Sequence, residues 1–272
     1  KLYEILSKDV MPPLEIFQFY NNMAGNPGAF AVAKIVSLCP NLKEFRFSGT
    51  RSQVEGCDEV AKELFNLSEN GLRLTNLDLS DNAFSSPKLL ELLPKQASLT
   101  HLNLRDSSLR LKDAFVALGK AFSIAAPPLV FLDLSGNDFE ADSGCDELYS
   151  DVFSATSLQK TLEDLALDDN MMESTGAISL AKALKRYKSL KTLSVNCCDI
   201  TAKGAVVLTK AVSSIKSFSL LKMDGNMICA EGIDQIKAIM EFRGKNLEEM
   251  EDNDEDGDDD LDELEDEEEE EE

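Results

Sequence analysis

The residues best suited to chemistry in this chain are a single histidine, His101, and six cysteines. His101 would have to be the general base of a Ser-His-Asp hydrolase, but no G-x-S-x-G turn accompanies it. One histidine cannot build a metal site, and the cysteines lack C-x-x-C spacing, which predicts reduced thiols and no bound metal. The sequence also lacks a P-loop and a dinucleotide-binding glycine turn. We therefore expect no cofactor, and we expect that any chemistry supported by this chain occurs on a partner.

The elements that would position such a partner follow a repeating leucine pattern. The motif L-x-x-L-x-L-x-x-N, with apolar substitutions, recurs eight times at spacings of 25 to 33 residues. This period is typical of a solenoid, in which no repeat can bury its apolar faces alone. The first residues of the repeats, which we call the anchors, are Leu14, Leu42, Leu74, Leu99, Leu129, Leu162, Leu190 and Phe218.

A second column, the ladder position, lies eight residues after each anchor. Five of its eight residues are Asn, whose side chain can hydrogen-bond the backbone where the chain bends sharply after a short strand. The ladder residues are Asn22, Thr50, Asn82, Ser107, Asn137, Asn170, Cys198 and Asn226. The pattern therefore predicts a strand and a bend in every repeat.

Helical spacing follows the bend. Glycine recurs six residues after the ladder position in five repeats, as at Gly176, and apolar residues follow four and eight positions later, as at Leu180 and Leu184. The sequence predicts an α/β leucine-rich-repeat horseshoe solenoid, with parallel strands on the concave face and helices on the convex face. We expect this domain over residues 1–247, with a helix at residues 232–242 as its cap and further repeats upstream of Lys1.

The net charge of −24 is concentrated at the carboxyl end. Residues 248–272 contain twenty acidic residues and no Lys or Arg, which leaves 31 acidic against 27 basic residues in the rest of the chain. Such a segment cannot bury enough apolar surface to fold, so we predict a disordered acidic tail. It could serve solubility alone or attract basic partners. The charge argues against nucleic-acid binding, and no apolar run is long enough for a membrane span.

Three segments go beyond the repeat pattern and resemble one family. They are FYNNMAGNPGAFAVAKIVSLCPNLKEFRFSGTR at residues 19–51, LDLSDNAF at residues 77–84 and LLKMDGNMICAEGIDQIKAIM at residues 220–240. Together they closely resemble Ran GTPase-activating proteins, particularly the plant-type branch. The resemblance covers essentially the whole chain.

The resemblance implies a monomeric activator, not itself an enzyme, that binds the GTPase Ran in its GTP form and accelerates GTP hydrolysis in nucleocytoplasmic transport. GTP and Mg²⁺ would be bound by the partner. The family inserts no arginine finger; an asparagine orients the GTPase's own glutamine and attacking water. Ran-binding or transport-receptor proteins would be further partners. The location would be cytoplasmic, with the nuclear envelope as an alternative for which these residues give no argument.

Carried over by resemblance, the Y-N-N motif makes Asn21 the catalytic candidate and Tyr20 an adjacent contact. Asn22 falls in the ladder column, so we expect it to face inward and Asn21 to face the partner. Arg51 would meet an acidic patch on the GTPase, while Asp81 and Asp169 would receive basic residues. Each candidate also has a structural reading, as a solvated turn residue or an ordinary surface charge.

Two other classes of function remain open. A passive, ribonuclease-inhibitor-like scaffold would use concave-face residues: Arg46, Asp78, His101, Asn103, Arg105, Asp133 and Asp168. An acidic-tailed histone-binding protein would use the tail, although the repeats are longer than that class requires. The early repeats that complete the GTPase contact surface in the family are absent from this chain, so its activity on its own needs a direct test.

Overall fold

The computed structural model describes residues 13–84, 87–109, 112–138, 148–254 and 261. The chain divides into two compact units, residues 1–137 and residues 138–272. In both units short strands alternate with helices, as the leucine pattern predicts.

In the described part of the first unit, five parallel strands are connected by helices. In chain order the elements are β1 (Ile16–Tyr20), α1 (Gly25–Val36), β2 (Glu44–Ser48), α2 (Val54–Glu69), β3 (Asn76–Asp78), α3 (Pro87–Leu92), β4 (His101–Asn103), α4 (Lys112–Ala125) and β5 (Phe131–Asp133). The strand register follows the sequence repeat. Equivalent residues lie opposite one another in successive strands: Phe45, Leu77, Leu102 and Leu132.

The second unit repeats the arrangement with shorter strands. Its described elements are α5 (Leu148–Phe153), α6 (Thr156–Thr161), β6 (Asp164–Ala166), α7 (Glu173–Leu184), β7 (Thr192–Ser194), α8 (Ala202–Ser213), β8 (Leu220–Lys222), α9 (Ala230–Phe242) and β9 (Asn246–Leu247). Strands β6 to β9 are parallel, and Leu165, Leu193 and Leu221 lie opposite one another in β6, β7 and β8.

The core lies between the strands and the helices of each unit. The central residue of each three-residue strand is buried, while its two neighbours point to the other face of the sheet. In β1 and β2 phenylalanines replace leucines, and the Phe17 and Phe45 rings stack with centroids 5.8 Å apart. The recurring helix glycines allow close approach, since a Cβ on Gly204 would lie 2.7 Å from the Ser174 backbone of the preceding helix.

Buried asparagines at the ladder position hydrogen-bond the bending backbone, as predicted, with Asn82 Nδ2 donating to the Ser80 carbonyl oxygen at 3.0 Å. They also join neighbouring repeats, which the sequence did not predict. The Asn82 amide donates to the Phe47 carbonyl oxygen of the preceding repeat at 2.9 Å, and its Oδ1 accepts from the Thr50 hydroxyl at 2.6 Å. Where Cys198 replaces the asparagine, its thiol contacts the Leu167 carbonyl oxygen at 3.2 Å. Asn22 differs from the prediction: it is exposed and accepts only from the Ala24 backbone N–H, because no earlier strand is available to it among the described residues.

The repeat fold continues beyond residue 247, where the acidic tail was predicted to begin. The Glu248 backbone N–H donates to the Leu221 carbonyl oxygen, and Asn253 Oδ1 accepts from the Asn226 backbone N–H at 3.0 Å. Asn253 thus serves the eighth repeat as a ninth ladder residue, and Leu261 is also buried. The remainder of the predicted tail, residues 255–260 and 262–272, lies outside the described residues.

Candidate functional site

The chain turns through a left-handed backbone conformation after each of the strands β1 to β8, seven residues after each anchor. We call this the turn position. All eight residues there have φ between +49° and +68°: Asn21, Gly49, Asp81, Asp106, Gly136, Asp169, Cys197 and Gly225. Gly, Asn and Asp tolerate this conformation best, so the turn geometry alone accounts for most of these residue types. Three of the residues singled out by sequence, Asn21, Asp81 and Asp169, therefore share one structural position.

Asn21 occupies the turn position of the first repeat, with a φ of +53°. Its backbone N–H donates to the Ser48 carbonyl oxygen at 3.0 Å, which fixes the backbone against the next repeat. The side chain is exposed and makes no hydrogen bond with the described part of the protein. Asn21 thus presents a carboxamide on an anchored turn, with its donor and its acceptor both available.

Tyr20 belongs to a polar cluster on the strand face opposite the helices. The Arg46 guanidinium lies 4.2 Å from the centroid of the Tyr20 ring, and Arg46 Nε lies 2.9 Å from Asp78 Oδ2. Asp78 in turn accepts from the Ser80 hydroxyl at 2.7 Å. Arg46 is thus held between an aromatic ring and a carboxylate, and it braces Tyr20 directly before Asn21.

Arg51 lies two residues beyond the turn position of the second repeat and also has a positive φ, +58°. It is exposed and forms neither an ion pair nor a side-chain hydrogen bond with the described residues. A left-handed backbone is unfavourable for an arginine by about 1–2 kcal/mol. Neither a contact within the fold nor backbone preference explains an arginine here, so its charge is available to a partner.

The two acidic candidates lie in different units. Asp81 is exposed in the first unit, and its backbone N–H donates to the Arg105 carbonyl oxygen at 2.9 Å. Asp169 lies in the second unit, close enough to the exposed thiol of Cys197 to act on it electrostatically. Partial burial, followed by the carboxylates of Asp169 and Asp168, raises the pKa of the Cys197 thiol. Cys197 is therefore a poor nucleophile despite its exposure.

Part of the strand face of the first unit forms a cavity of about 230 Å³. Of the residues named for the scaffold hypothesis, Arg46, Asp78, His101 and Asn103 line it. The His101 ring stacks on Phe131 with centroids 6.1 Å apart, and its Nδ1 lies 2.9 Å from the Thr100 hydroxyl. These neighbours hold His101 as a surface residue of the strand face. Within the described structure no carboxylate contacts the His101 ring, so the surroundings do not support a role as general base.

Metal and membrane sites receive no support from the described part of the chain. No three of its His, Cys, Asp or Glu side chains are grouped closely enough to hold a metal ion. None of its helices combines the length and the apolar character that crossing a bilayer requires.

Comparison with known proteins shows that the fold is of the leucine-rich-repeat class. The leucine-rich repeat family matches residues 188–208, which include β7 and the start of α8. A crystal structure of a protein from Bacteroides fragilis has the same fold at a TM-score of 0.50, with 14% identity over 93% of this chain and 70% of that one. The predicted α/β leucine-rich-repeat fold is confirmed.

Among curated proteins, this chain is similar to RAN GTPase-activating protein 2 of Arabidopsis thaliana. This chain is 31% identical to it over 156 residues, which cover 57% of this chain and 27% of that protein. The resemblance stated from the sequence motifs is therefore confirmed over 57% of this chain, and not over essentially the whole chain as the motifs predicted. Since the match spans about a quarter of the relative's length, it does not transfer the activity of the whole relative to this chain.

Proposed function

We propose that this chain is a GTPase-activating protein for a Ran-type GTPase in its GTP-bound form, acting in nucleocytoplasmic transport from the cytoplasm. The activator binds no nucleotide or metal itself, because GTP and Mg²⁺ belong to the partner. The observation that carries the proposal is the exposed Asn21 carboxamide on an anchored turn, within a chain similar to a Ran GTPase-activating protein.

The proposed mechanism is positioning without an arginine finger. Phosphoryl transfer depends mainly on orienting the attacking water and stabilising charge, and the GTPase already carries a glutamine for the first task. The Asn21 amide can donate to the carbonyl oxygen of that glutamine, while Asn21 Oδ1 can accept from its amide. Such a pair would hold the glutamine against the water.

The surroundings of Asn21 supply the docking contacts in this proposal. Tyr20, braced by Arg46, offers a rigid aromatic surface beside the carboxamide. Arg51, which has no ion-pair partner among the described residues, supplies a positive charge for an acidic patch on the GTPase. Asp81 supplies a negative charge one repeat further on. Asp169 belongs to the second unit and is proposed separately as an acidic contact for the partner.

Single-turnover hydrolysis of GTP by Ran, with this chain at catalytic concentration, tests the proposal. We expect multiple cycles per activator molecule and a rate increase approaching about 10⁵-fold. A Ras-type GTPase is the specificity control. If Ran binds the folded chain but hydrolyses GTP at its intrinsic rate, the chain is a passive scaffold. If only histones bind, and binding requires the tail, the histone-binding alternative replaces the proposal.

Substitution of Arg51 by glycine should separate docking from catalysis. We expect a KM for Ran raised roughly tenfold by the lost ion pair, with kcat unchanged. Glycine accepts the positive φ, so the melting temperature should equal or exceed that of the wild type. A fall in kcat of about 10³-fold or more would instead assign Arg51 the role of an arginine finger.

Removal of residues 262–272 should test whether the tail attracts the partner. The deletion removes ten acidic residues but retains Leu261 and Asn253, so the described fold stays complete. If the tail steers a basic partner, kcat/KM should fall roughly tenfold at low salt, and the difference should vanish near 1 M salt. Equal kcat/KM at both ionic strengths would leave the tail with a role in solubility alone.

A further inference from the structure

The glycine that follows Asn21 in the turn column lies directly beneath the Asn21 side chain. Gly49 occupies the turn position of the second repeat with a φ of +59°. An ideal Cβ built on Gly49 would lie 2.5 Å from Asn21 Oδ1, well inside van der Waals contact. The same Cβ would lie 3.5 Å from the Asn21 backbone nitrogen, which is an ordinary contact. A side chain at residue 49 would therefore displace the Asn21 carboxamide and leave the Asn21 backbone in place.

Two other repeats show the same arrangement away from Asn21. A Cβ on Gly136 would lie 2.0 Å from Asp106 Oδ1, and a Cβ on Gly225 would lie 2.8 Å from Cys197 Sγ. In each case the turn residue of one repeat lies over the glycine of the next. Glycine at the turn position thus creates a shallow seat for the preceding turn side chain, and Gly136 provides a matched control for Gly49.

We propose that Gly49 is a positioning residue that seats the Asn21 carboxamide in the orientation required to engage the GTPase. This inference rests on the proposed function and extends it to a residue that touches neither nucleotide nor attacking water. The Ser48 carbonyl oxygen holds the Asn21 backbone, and the open surface over Gly49 sets the direction of the side chain. Because the Asn21 backbone is anchored and its side chain is already positioned, Asn21 loses less conformational freedom when the partner binds.

The first test compares Gly49→Ala with Gly136→Ala. Both substitutions place alanine at a positive φ beneath an overlying side chain, so both should lower the melting temperature by about 2–8 °C. For Gly49→Ala we expect kcat for stimulated hydrolysis to fall at least tenfold, with KM changed less than twofold. Gly136→Ala should retain the wild-type kcat. Equal kcat values for the two variants would overturn the positioning role.

A double-mutant cycle shows whether Gly49 acts through Asn21. In the Asn21→Gly background no side chain remains to be displaced, so adding Gly49→Ala should cause no further loss of kcat. A second, independent loss of kcat would mean that Gly49 itself contacts the GTPase, and the inference would fail.

Side-chain amide NMR tests whether Gly49 positions the Asn21 carboxamide, and it does so independently of GTPase activation. In protein labelled with ¹⁵N-asparagine, the Asn21 signal is assigned by its absence in Asn21→Gly. Gly49→Ala should shift this signal, and Gly136→Ala should leave it unchanged. If the wild type fails to stimulate Ran, the proposed function falls whatever this spectrum shows. If the Asn21 signal is unmoved by Gly49→Ala, the seat itself is wrong.

Discussion

Replacing Asn21 with glycine should lower stimulated GTP hydrolysis by about 10²–10³-fold, which is typical for the loss of one preorganised hydrogen-bonding group in a reaction centre. The effect should fall on kcat, because the amide engages the partner's glutamine in the transition state and contributes little to docking. Single-turnover hydrolysis at saturating activator measures it directly.

Glycine is the informative replacement at this position because Asn21 has a φ of +53°. Alanine would add backbone strain of about 1–2 kcal/mol and confuse loss of the amide with displacement of the turn. Asn22→Ala is the matched control: its exposed side chain accepts one hydrogen bond from the Ala24 backbone, and we expect a wild-type rate. A wild-type kcat for Asn21→Gly in a folded protein would remove Asn21 from the mechanism.

The ladder column was predictable from sequence because burial restricts it to small polar side chains, and Asn is the most frequent of them. Only a residue that donates and accepts can satisfy the bending backbone, and Asn recurs there. The turn column is harder to recognise from sequence, although its geometry is more uniform, because Asn, Asp and Gly all suit a positive φ and no single residue type dominates the column. The role of Gly49 was hidden for the same reason, within the segment F-S-G-T-R.

The spacings of the anchors are visible in the sequence, but periodicity did not predict the helices within the shortest and longest repeats. In the described part of the shortest repeat, between Leu74 and Leu99, strand β3 is followed by the six-residue α3 and a 3₁₀ turn at Leu93–Lys95. The longest, between Leu129 and Leu162, contains the two short helices α5 and α6 in its described part. A strand needs only its register with the neighbouring strand, so the connecting segment can change while Leu77, Leu102 and Leu132 remain aligned.

The acidic composition predicted that the repeat fold ends at residue 247, but the fold extends further. The acidic residues around Asn253 predict disorder, yet Asn253 lies 27 residues after Asn226, close to one repeat length. Its Nδ2 donates to Asp224 Oδ1 at 3.0 Å, and its Oδ1 accepts from the Asn226 backbone. One correctly spaced amide can therefore hold an acidic segment against the last full repeat. A charge count does not detect that spacing.

Replacing Asn226 with alanine should produce the largest loss of stability, about 3–5 kcal/mol in the free energy of unfolding. Asn226 is 3% exposed, and its Oδ1 accepts from the Cys198 and Ile200 backbones at 2.9 and 3.2 Å. Its Nδ2 donates to the Val195 and Met223 carbonyl oxygens at 3.0 and 2.9 Å. Truncation would leave these four backbone groups buried without their partner. Urea unfolding followed by circular dichroism measures the change.

The same substitution at Asn22 isolates the contribution of burial. Asn22 occupies the equivalent ladder position, but it is exposed and water can replace its one hydrogen bond to the Ala24 backbone. We therefore expect Asn22→Ala to lower the free energy of unfolding by less than about 1 kcal/mol. Similar losses for the two variants would mean that the ladder stabilises through local turn preference. A large difference would show that the asparagines matter because they satisfy buried backbone groups in two successive repeats.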